Sequence, residues 1–500
     1  MTTPSASSNP LSVLRETEQT TGKLPPATPT YILRGHGSPI HALRFYSGNS
    51  RLISGDAEGW VVVWNMRTKR AVASWRAHGS AILGVEGVEF SSKQDAKRVG
   101  EGGGSERWLF THGRDHKLRV WRFNFADEEG LGKELPVDES KSAHPLNEPW
   151  LFHSISVNAL NFCAFALCRI FPDENLTSDE LPRSSQISPS TEDTGFPEMG
   201  SSNRPHIFFL AVPNALNSGG IDIFHLPSEK RVSTISPDPS INTGMVMALE
   251  LFRTPQGNLC LLSGYEDGRV MIHRERSPDA VEKGSSDWPS WRWERLYINH
   301  SHSQPVLSLT LSPLEKQKDP FFLSSSADAI LVKHPIATTS NSAYEPTSES
   351  THSPLKVLNT KHAGQQSLRI RNDAKIFATA GWDGRIRVYS CKSMRELAVL
   401  KWHHGGCYAV AFADIASPNK NGENNNAALE RDAIIHTGNM KAGADSAVDA
   451  HTKTENIAVN LANQPRSLAE IKEQRSRKAQ FTHWLAAGSK DGKISLWDIY

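Results

Sequence analysis

Seven times along this chain, a turn rich in Gly and Asp leads into a short apolar run that an aromatic residue or His usually closes. Units of about 40–45 residues with this pattern are typical of the four-stranded blades of a β-propeller. The last copy, Ser489 to Asp498, ends two residues before position 500 and provides only the third strand of its blade. We therefore expect a strand near the other end of the sequence, Thr30-Tyr31-Ile32-Leu33, to complete that blade.

Six of the seven copies share one register, in which an acidic residue in the turn precedes the closing residue by six positions. The pairs are Glu58 and Trp64, Asp115 and Trp121, Asp267 and His273, Asp328 and His334, Asp383 and Tyr389, and Asp491 and Trp497. The third copy lacks the acid and is recognised from the apolar runs on either side of Gly219-Gly220. One Asp-Gly turn would mark any hairpin. Six in one register predict an all-β, seven-bladed WD-repeat propeller.

Most of these turns are preceded by a histidine that could join a structural hydrogen-bond network. The candidates are His36, His78, His302, His362 and either His403 or His404. In such a network the histidine pairs with the turn acid, and a Ser or Thr and the closing Trp N–H extend the chain of bonds. We expect an incomplete set here, because Gly113 stands where blade two would place its hydroxyl and Glu58 replaces Asp in blade one. These histidines are interpreted as structural and not as catalytic groups.

The domain organisation predicted from composition is a flexible segment over residues 1–28 and one propeller over residues 29–500. Polar stretches rich in Ser, Pro, Gly or Asn interrupt the propeller, and we expect them to be long disordered insertions. Their approximate bounds are 91–106, 172–204, 274–292, 338–354 and 415–480. Within the last insertion, Leu468 to Lys472 supports an alternative interpretation, a short helix that folds onto a partner.

The bulk composition excludes several classes of protein. Lys and Arg number 55 against 54 Asp and Glu, and this balance does not favour a direct nucleic-acid surface. No apolar run approaches the ~20 residues that a membrane span needs. The five cysteines form no C-x-x-C pair, and no apolar signal core follows Met1. We expect reduced thiols in a cytosolic or nuclear protein.

Motifs that would carry chemistry are also missing from the sequence. Gly102-Gly103-Gly104-Ser105 lacks the Lys of a phosphate loop, and neither His-Glu-x-x-His nor Gly-x-Ser-x-Gly occurs. His403 and His404 would point to opposite faces of a strand and could not share a metal. The sequence therefore predicts a protein that is not an enzyme and that has no cofactor or metal.

A binding role remains, and the residue just before each turn acid is well placed to meet a partner. Trp and Arg are the residue types most often found as binding hot spots. The predicted contact patch consists of Arg114, Trp382 and Lys490.

Several strings resemble the fungal ASTRA-associated protein 1 family, which is similar to the animal guanine nucleotide-binding protein subunit beta-like protein 1. They are Leu33-Arg34-Gly35-His36, Ser54 to Gly59, His112 to Leu118, Ala380 to Arg385 and Gly488 to Gly492. The resemblance spans roughly residues 30–500 without the insertions. It implies a non-catalytic scaffold subunit of the nuclear ASTRA complex. It leaves open whether some of the protein is also in the cytoplasm. It also implies roles in chromatin remodelling and in the biogenesis of phosphatidylinositol-3-kinase-related kinases, with a kinase-related protein, RuvB-like ATPases and co-chaperone subunits as partners.

Two other functions compete with this interpretation. A propeller can recognise substrates for a ubiquitin ligase, although no F-box-like helical segment is visible before residue 30. A propeller can also be an enzyme or a nucleotide-binding analogue of a β-subunit. The missing polar clusters argue against this last class.

Overall fold

The computed structural model describes residues 27–90, 106–141, 147–158, 162–170, 206–276, 291–336, 353–415 and 467–499. The predicted flexible segment and most of each predicted insertion lie outside these residues. Where the edges of the insertions are described, their predicted bounds shift. The strand before the 274–292 insertion continues to Arg276, and the next strand begins at Arg292.

Seven separate antiparallel sheets of four strands each make up the fold. The first strand of the chain is β1 (Tyr31–Arg34). Blade one comprises β2 (Ile40–Tyr46), β3 (Arg51–Asp56), β4 (Trp60–Asn65) and β5 (Arg70–Arg76). Blade two comprises β6 (Ile82–Phe90), β7 (Glu106–Gly113), β8 (Lys117–Phe123) and β9 (Trp150–Ser156). Blade three comprises β10 (Ala166–Ile170), β11 (Ile207–Pro213), β12 (Ile221–Leu226) and β13 (Lys230–Ile235).

The second half of the ring repeats the same order. Blade four comprises β14 (Val246–Arg253), β15 (Leu259–Tyr265), β16 (Val270–Arg276) and β17 (Arg292–Asn299). Blade five comprises β18 (Val306–Leu311), β19 (Phe321–Ser326), β20 (Ile330–Pro335) and β21 (Lys356–Asn359). Blade six comprises β22 (Gln365–Ile370), β23 (Ile376–Gly381), β24 (Arg385–Ser390) and β25 (Glu396–Lys401). Blade seven contains β26 (Cys407–Phe412), β27 (Trp484–Ser489) and β28 (Lys493–Asp498).

The sheets close into a ring because the first strands of neighbouring blades contact one another. Such contacts join β2 with β6 and β26, and β18 with β14 and β22. These strands therefore surround the centre of the ring, and the fourth strands lie at its outside. This arrangement is a seven-bladed β-propeller, as the sequence predicts.

Blade seven is completed by β1, which pairs antiparallel with β28. Tyr31 lies opposite Leu496, and Arg34 lies opposite Lys493. The amide of Thr30 adds a hydrogen bond of 2.8 Å to the carbonyl of Leu496. The predicted closure of the last blade by a strand from near the start of the sequence is confirmed.

Apolar core fills the spaces between blades, which explains why some strands are apolar without alternation. Val62 of β4 packs in a cluster with Leu496 of blade seven, whereas Val61 and Val63 pack with Leu109 of blade two. Successive side chains of a strand point to opposite faces of its sheet. Because each sheet lies between two others, both faces are buried, and the run is apolar throughout.

An additional segment wraps the outside of blade one. Residues 124–141, between β8 and β9, contain two short 3-10 turns, Asp127–Glu129 and Pro136–Lys141. The amide of Ser74 on the outermost strand β5 donates to the carbonyl of Gly132 at 2.7 Å. The segment thereby covers an edge strand that would otherwise be open to pairing with another chain. The sequence analysis did not predict this insertion.

One helix, α1 (Leu468–Phe481), precedes β27. The Ser467 hydroxyl accepts a hydrogen bond from the Glu470 amide, and the Glu470 carboxylate accepts one from the Ser467 amide. The two bonds form a capping box at the start of the helix. The helix of the alternative interpretation is confirmed, and its folding onto a partner stays a prediction. The part of the chain that the structure describes contains no helix of the length and apolarity that a membrane crossing requires. All five cysteines are buried and unpaired.

Candidate functional site

The turns between the second and third strands of the blades lie on one face of the ring, which we call the turn face. Blade two shows how its residues are used. His78 lies 2.8 Å from Asp115 through Nδ1 and 2.8 Å from the Thr111 hydroxyl through Nε2. Because a carboxylate only accepts, Nδ1 carries the hydrogen, and Nε2 accepts from Thr111. The Trp121 indole donates to the same hydroxyl at 2.9 Å. Thr111, and not position 113, supplies the hydroxyl, so the expectation of an incomplete network in this blade was wrong.

Blade one contains the same network with a different acid. His36 pairs through Nδ1 with Asp56 at 2.8 Å and through Nε2 with Ser54 at 2.7 Å, and Trp64 donates to Ser54 at 2.8 Å. Asp56 can take this place because its other oxygen accepts the amides of Glu58 and Trp60 and so caps the turn. The Glu58 side chain instead accepts from the Ser38 hydroxyl. The prediction that Glu58 is the network acid was wrong.

Blade five replaces the tryptophan with a histidine and extends the network. His302 meets Asp328 at 3.3 Å and Ser324 at 2.8 Å. Nε2 of His334 donates to Ser324 at 2.9 Å, so its Nδ1 is free to accept from the Tyr297 hydroxyl, also at 2.9 Å. Burial holds the pKa of His334 well below its usual value, which keeps the ring neutral as this pattern requires.

Blade seven obtains its hydroxyl from the neighbouring strand. His403 is buried and lies 2.8 Å from the hydroxyl of Ser495, to which Trp497 donates at 2.9 Å. Ser495 lies opposite Ala487, the position that corresponds to Thr111 in blade two. Asp491 is farther away, at 3.6 Å from His403. His404 is exposed, so His403 is the network histidine.

Blades four and six keep the turn acid without a histidine partner, and blade three lacks the turn acid. Asp267 pairs with Arg269, and Asp383 accepts from Arg387 at 2.6 Å. His362 is exposed, so its predicted place in the network was wrong. In blade three, Asp222 accepts from Asn214 at 2.9 Å and from Thr234 at 2.7 Å. Asp222 lies within its strand, outside the register of the other acids, which is why the sequence analysis did not identify it.

These networks are suited to holding blades together. Burial lowers the pKa values of His78 and His403, against the raising effect of the facing carboxylates, so both rings stay neutral near pH 7. Both rings are buried, and each forms its hydrogen bonds with residues of the blade that its loop enters. In blades one and two both ring nitrogens of the network histidine are paired, and fully paired buried polar groups stabilise a single geometry. The described residues contain no group of His, Cys, Asp and Glu side chains arranged to hold a metal ion.

Buried, unpaired histidines also make the fold sensitive to acid. Neither ring nitrogen of His112 has a hydrogen-bond partner among the described residues, and burial lowers its pKa to about 3. Burial and the nearby Arg295 lower the pKa of His273 to about 4. Both folded-state pKa values lie below that of the unfolded chain, so the unfolded state binds more protons in acid. Stability present above about pH 6.5 is therefore lost as the pH falls towards 4.

We expect urea unfolding to show a loss of about 1.4 kcal/mol per pH unit for each of these histidines below pH ~6. The variant His112→Leu should reduce the slope of unfolding free energy against pH by about 1.4 kcal/mol per pH unit, the contribution of about one proton. The exposed His362 provides the control, because His362→Leu should leave the slope unchanged. Equal slopes for wild type and His112→Leu would contradict the assignment.

The predicted contact residues all lie on the turn face, and two of them are close together. Gly405 and Gly406 join blades six and seven between Trp382 and Lys490. A Cβ on Gly405 would lie 3.3 Å from the Lys490 Cβ, and one on Gly406 would lie 3.1 Å from the Trp382 carbonyl. Trp382 is 48% exposed. Its indole packs over Gly364, whose φ of +71° and missing side chain make room for the ring.

Arg114 lies on another part of the turn face, in blade two. Its guanidinium stacks 4.5 Å from the centre of the Phe162 ring, and Phe162 is itself 61% exposed. Neither Arg114 nor Lys490 forms an ion pair with any of the residues that the structure describes. Both cations are therefore available to a partner.

A ring of bulged residues connects these positions around the mouth of the central channel. In six blades one extra residue follows the first residue of the innermost strand and is left out of the pairing. These residues are His41, Leu83, Met247, Leu307, Gln366 and Tyr408. The register of the turn acids does not predict these residues, although a small residue, Ala, Gly or Ser, follows each one and marks the bulge.

Contacts among the bulged residues link the predicted patch into one surface. The rings of His41 and Tyr408 meet edge to face at 5.6 Å. Gln366 accepts from the Trp382 indole at 2.8 Å. Burial, together with the Arg114 guanidinium and against the Asp56 carboxylate, lowers the pKa of His41. An arc of aromatic and cationic side chains thus runs from blade two to blade six across the channel mouth.

Within the channel, one position of the innermost strands carries paired charges. Arg44 of blade one donates to Glu86 of blade two at 2.8 Å. Glu250 and Arg369 occupy the same register in blades four and six. Burial raises the pKa of Glu250, which Arg369 and Arg44 counteract. This position of the channel wall therefore carries two cations and two anions, whereas the cations Arg114 and Lys490 lie at the channel mouth.

A closed seven-bladed ring with histidine-acid networks between its loops defines a WD-repeat β-propeller, the class of protein that presents loop faces to binding partners. Comparison with known proteins identifies the family. Residues 29–497 match the family described as ASTRA-associated protein 1. The chain belongs to this family.

Relatives in several fungi support the assignment. The ASTRA-associated protein 1 of Aspergillus niger is 49% identical, over 95% of this chain and 98% of its own length. The protein of the same name from Schizosaccharomyces pombe is 32% identical, over 77% of this chain and 93% of its own length. That from Yarrowia lipolytica is 27% identical, over 94% of each chain.

Proposed function

We propose that this protein is a non-catalytic scaffold subunit of the nuclear ASTRA complex, with roles in chromatin remodelling and in the biogenesis of phosphatidylinositol-3-kinase-related kinases. Its partners would be a kinase-related protein, RuvB-like ATPases and co-chaperone subunits. The observation that carries this proposal is family membership over residues 29–497. The names of the relatives associate them with ASTRA, and the relatives match over nearly their whole lengths.

The geometry of the turn face supports a role in binding over one in catalysis. The network histidines and the acids that face them are engaged in structural hydrogen bonds within the blades. The accessible groups of the turn face include Trp382, Phe162 and Tyr408 and the cations Arg114 and Lys490. Aromatic and cationic side chains together are typical of protein-binding hot spots. We therefore propose that a partner segment with acidic and apolar residues binds across the channel mouth.

Affinity purification tests this proposal. The tagged full-length protein is expressed in its native host, and nuclear extracts are compared for wild type and the triple variant Arg114→Glu, Trp382→Ala and Lys490→Glu. Wild type should recover RuvB-like ATPases and a kinase-related protein. Because each hot-spot substitution typically costs 1 kcal/mol or more, recovery by the triple variant should fall about tenfold or further.

The matched control replaces exposed residues on outermost strands, Lys230→Glu, Trp150→Ala and Lys401→Glu, and should retain full recovery. Equal recovery by both triple variants would contradict the proposal that the partner binds at the turn face. Recovery of ubiquitin-ligase subunits in place of ATPases would favour the alternative function.

A further inference from the structure

Helix α1 extends beyond the ring, on the face opposite to the turn face. Ala479, in its last turn, is buried, whereas Leu468, in its first, is 78% exposed. Eleven residues separate the two, which at 100° per residue places them on nearly the same side of the helix. At the beginning of α1, this same side therefore has no neighbour among the residues that the structure describes.

The C-terminal half of α1 is held by specific contacts with blades one and seven. Arg67 donates to the Ser476 hydroxyl at 3.4 Å, and the Trp484 indole donates to the Ala479 carbonyl at 3.0 Å. Asn49 donates to the carbonyls of Gln480 and Asp414 at 2.9 and 2.7 Å, and so fixes both ends of the insertion. These contacts and the capping box at the other end stabilise the helix, because an isolated helix of this length would be only marginally stable in water.

The uncovered side of α1 combines apolar and basic residues. Leu468, Ile471, Lys472 and Arg475 lie within about 100° around the helix axis. The acidic residues of the helix lie on the other side, where Glu473 pairs with Arg477 at 2.9 Å. Leu468, Lys472 and Arg475 are all exposed.

Further cations lie at the base of this side. Lys69 of blade one stacks 4.1 Å from the centre of the Trp484 ring. Burial and the neighbouring Lys478 lower its pKa to about 8. The ammonium groups of Lys69 and Lys478 at the junction of α1 and blade one are therefore close enough to repel one another. An anionic partner would relieve this repulsion.

We propose that Leu468, Ile471, Lys472 and Arg475 of α1, with Arg67 of blade one, form a second docking surface that binds an acidic amphipathic segment of a partner protein. The apolar residues favour a protein over a nucleic acid, because Leu468 and Ile471 are removed from water only by an apolar partner. The surface lies opposite the arc of Arg114, Trp382 and Lys490. It extends the proposed scaffold function by allowing two partners to bind at once.

A direct binding assay on the purified full-length protein tests the proposal independently of any complex. The probe is a fluorescein-labelled helical peptide with leucines and glutamates on one face, measured by fluorescence anisotropy at low salt. We expect saturable binding that Lys472→Glu with Arg475→Glu weakens about tenfold or more. Leu468→Ser should also weaken binding, whereas a purely electrostatic attraction would be insensitive to it.

The control variant, Lys230→Glu with Lys401→Glu, makes the same change in net charge on outermost strands and should bind as wild type does. A peptide of the same composition with its leucines and glutamates scrambled should bind more weakly. Equal binding by the helix variant and the control, or no binding of the probe, would overturn the proposal. Tighter binding of a short DNA duplex, lost in the helix variant, would also overturn it. The turn-face variant should bind the probe normally, so the two surfaces are tested separately.

Discussion

Deleting residues 1–34 should give a protein that is insoluble or that unfolds at a much lower temperature. Leu33 is 1% exposed and packs with Trp64, Ile494 and Leu496 in the core between blades seven and one. Its burial alone stabilises the fold by about 1.5–3 kcal/mol, against a typical total of 5–15 kcal/mol. Removal of β1 also leaves β28 as an open edge available for aggregation. Soluble yield and thermal unfolding measure both effects.

The control for this experiment is deletion of residues 1–26 alone. It retains β1 and the Thr30 hydrogen bond, and should leave the thermal transition unchanged. The single substitution Leu33→Asp should reproduce most of the effect of the longer deletion, because Tyr31 is 45% exposed and contributes less. A transition that is unchanged when residues 1–34 are missing would refute closure by this strand.

Replacing Glu128 with Ala should destabilise the protein by about 3–5 kcal/mol. Its carboxylate accepts from Arg51 at 3.0 and 2.6 Å and from Arg107 at 2.6 Å. All three side chains are buried. Without Glu128, the two guanidinium groups remain in a poorly solvated site where Glu89, 3.6 Å from Arg107, is the counter-charge that the structure still provides, and this costs more than the lost contacts. Urea unfolding at pH 7 gives the change in free energy directly.

The neighbouring Glu129 provides a matched control, since it lies in the same 3-10 turn and is exposed. Glu129→Ala should change stability by no more than about 0.5 kcal/mol. The triple variant Arg51→Met, Arg107→Leu and Glu128→Leu should recover much of the loss, because apolar residues often replace a buried ionic cluster without cost. Similar stabilities for Glu128→Ala and Glu129→Ala would show that the cluster carries little energy.

The individual network partners could be predicted only in part. Asp115 and Trp121 were found because their spacing is set within one hairpin. Glu58 was chosen by the same spacing, but the loop histidine His36 pairs with Asp56, whose second oxygen also accepts backbone amides of the turn. Ser495 could not be identified from its position in the repeat. In blade two the hydroxyl comes from Thr111 on the second strand, whereas in blade seven Ser495 provides it from the third strand.

Contacts between distant segments were also beyond the reach of sequence patterns. Arg51 and Glu128 are 77 positions apart, and Asn49 bonds to Gln480 across 431 positions. Neither pair has a periodic signature, because Glu128 lies in the segment that covers blade one and Gln480 lies in α1. The uncovered side of α1 is likewise visible only when its last turn is seen to pack on the propeller.

The sequence by itself determined the number of blades, the order of strands within them and the closure of the ring, because each depends on turns and apolar runs that are local and repeated. The tertiary structure alone decided which acid each histidine meets, how residues 124–141 cover blade one, and which exposed side chains face a partner together. These features depend on distances between side chains far apart in the chain. Such distances exist only once the blades have packed against one another.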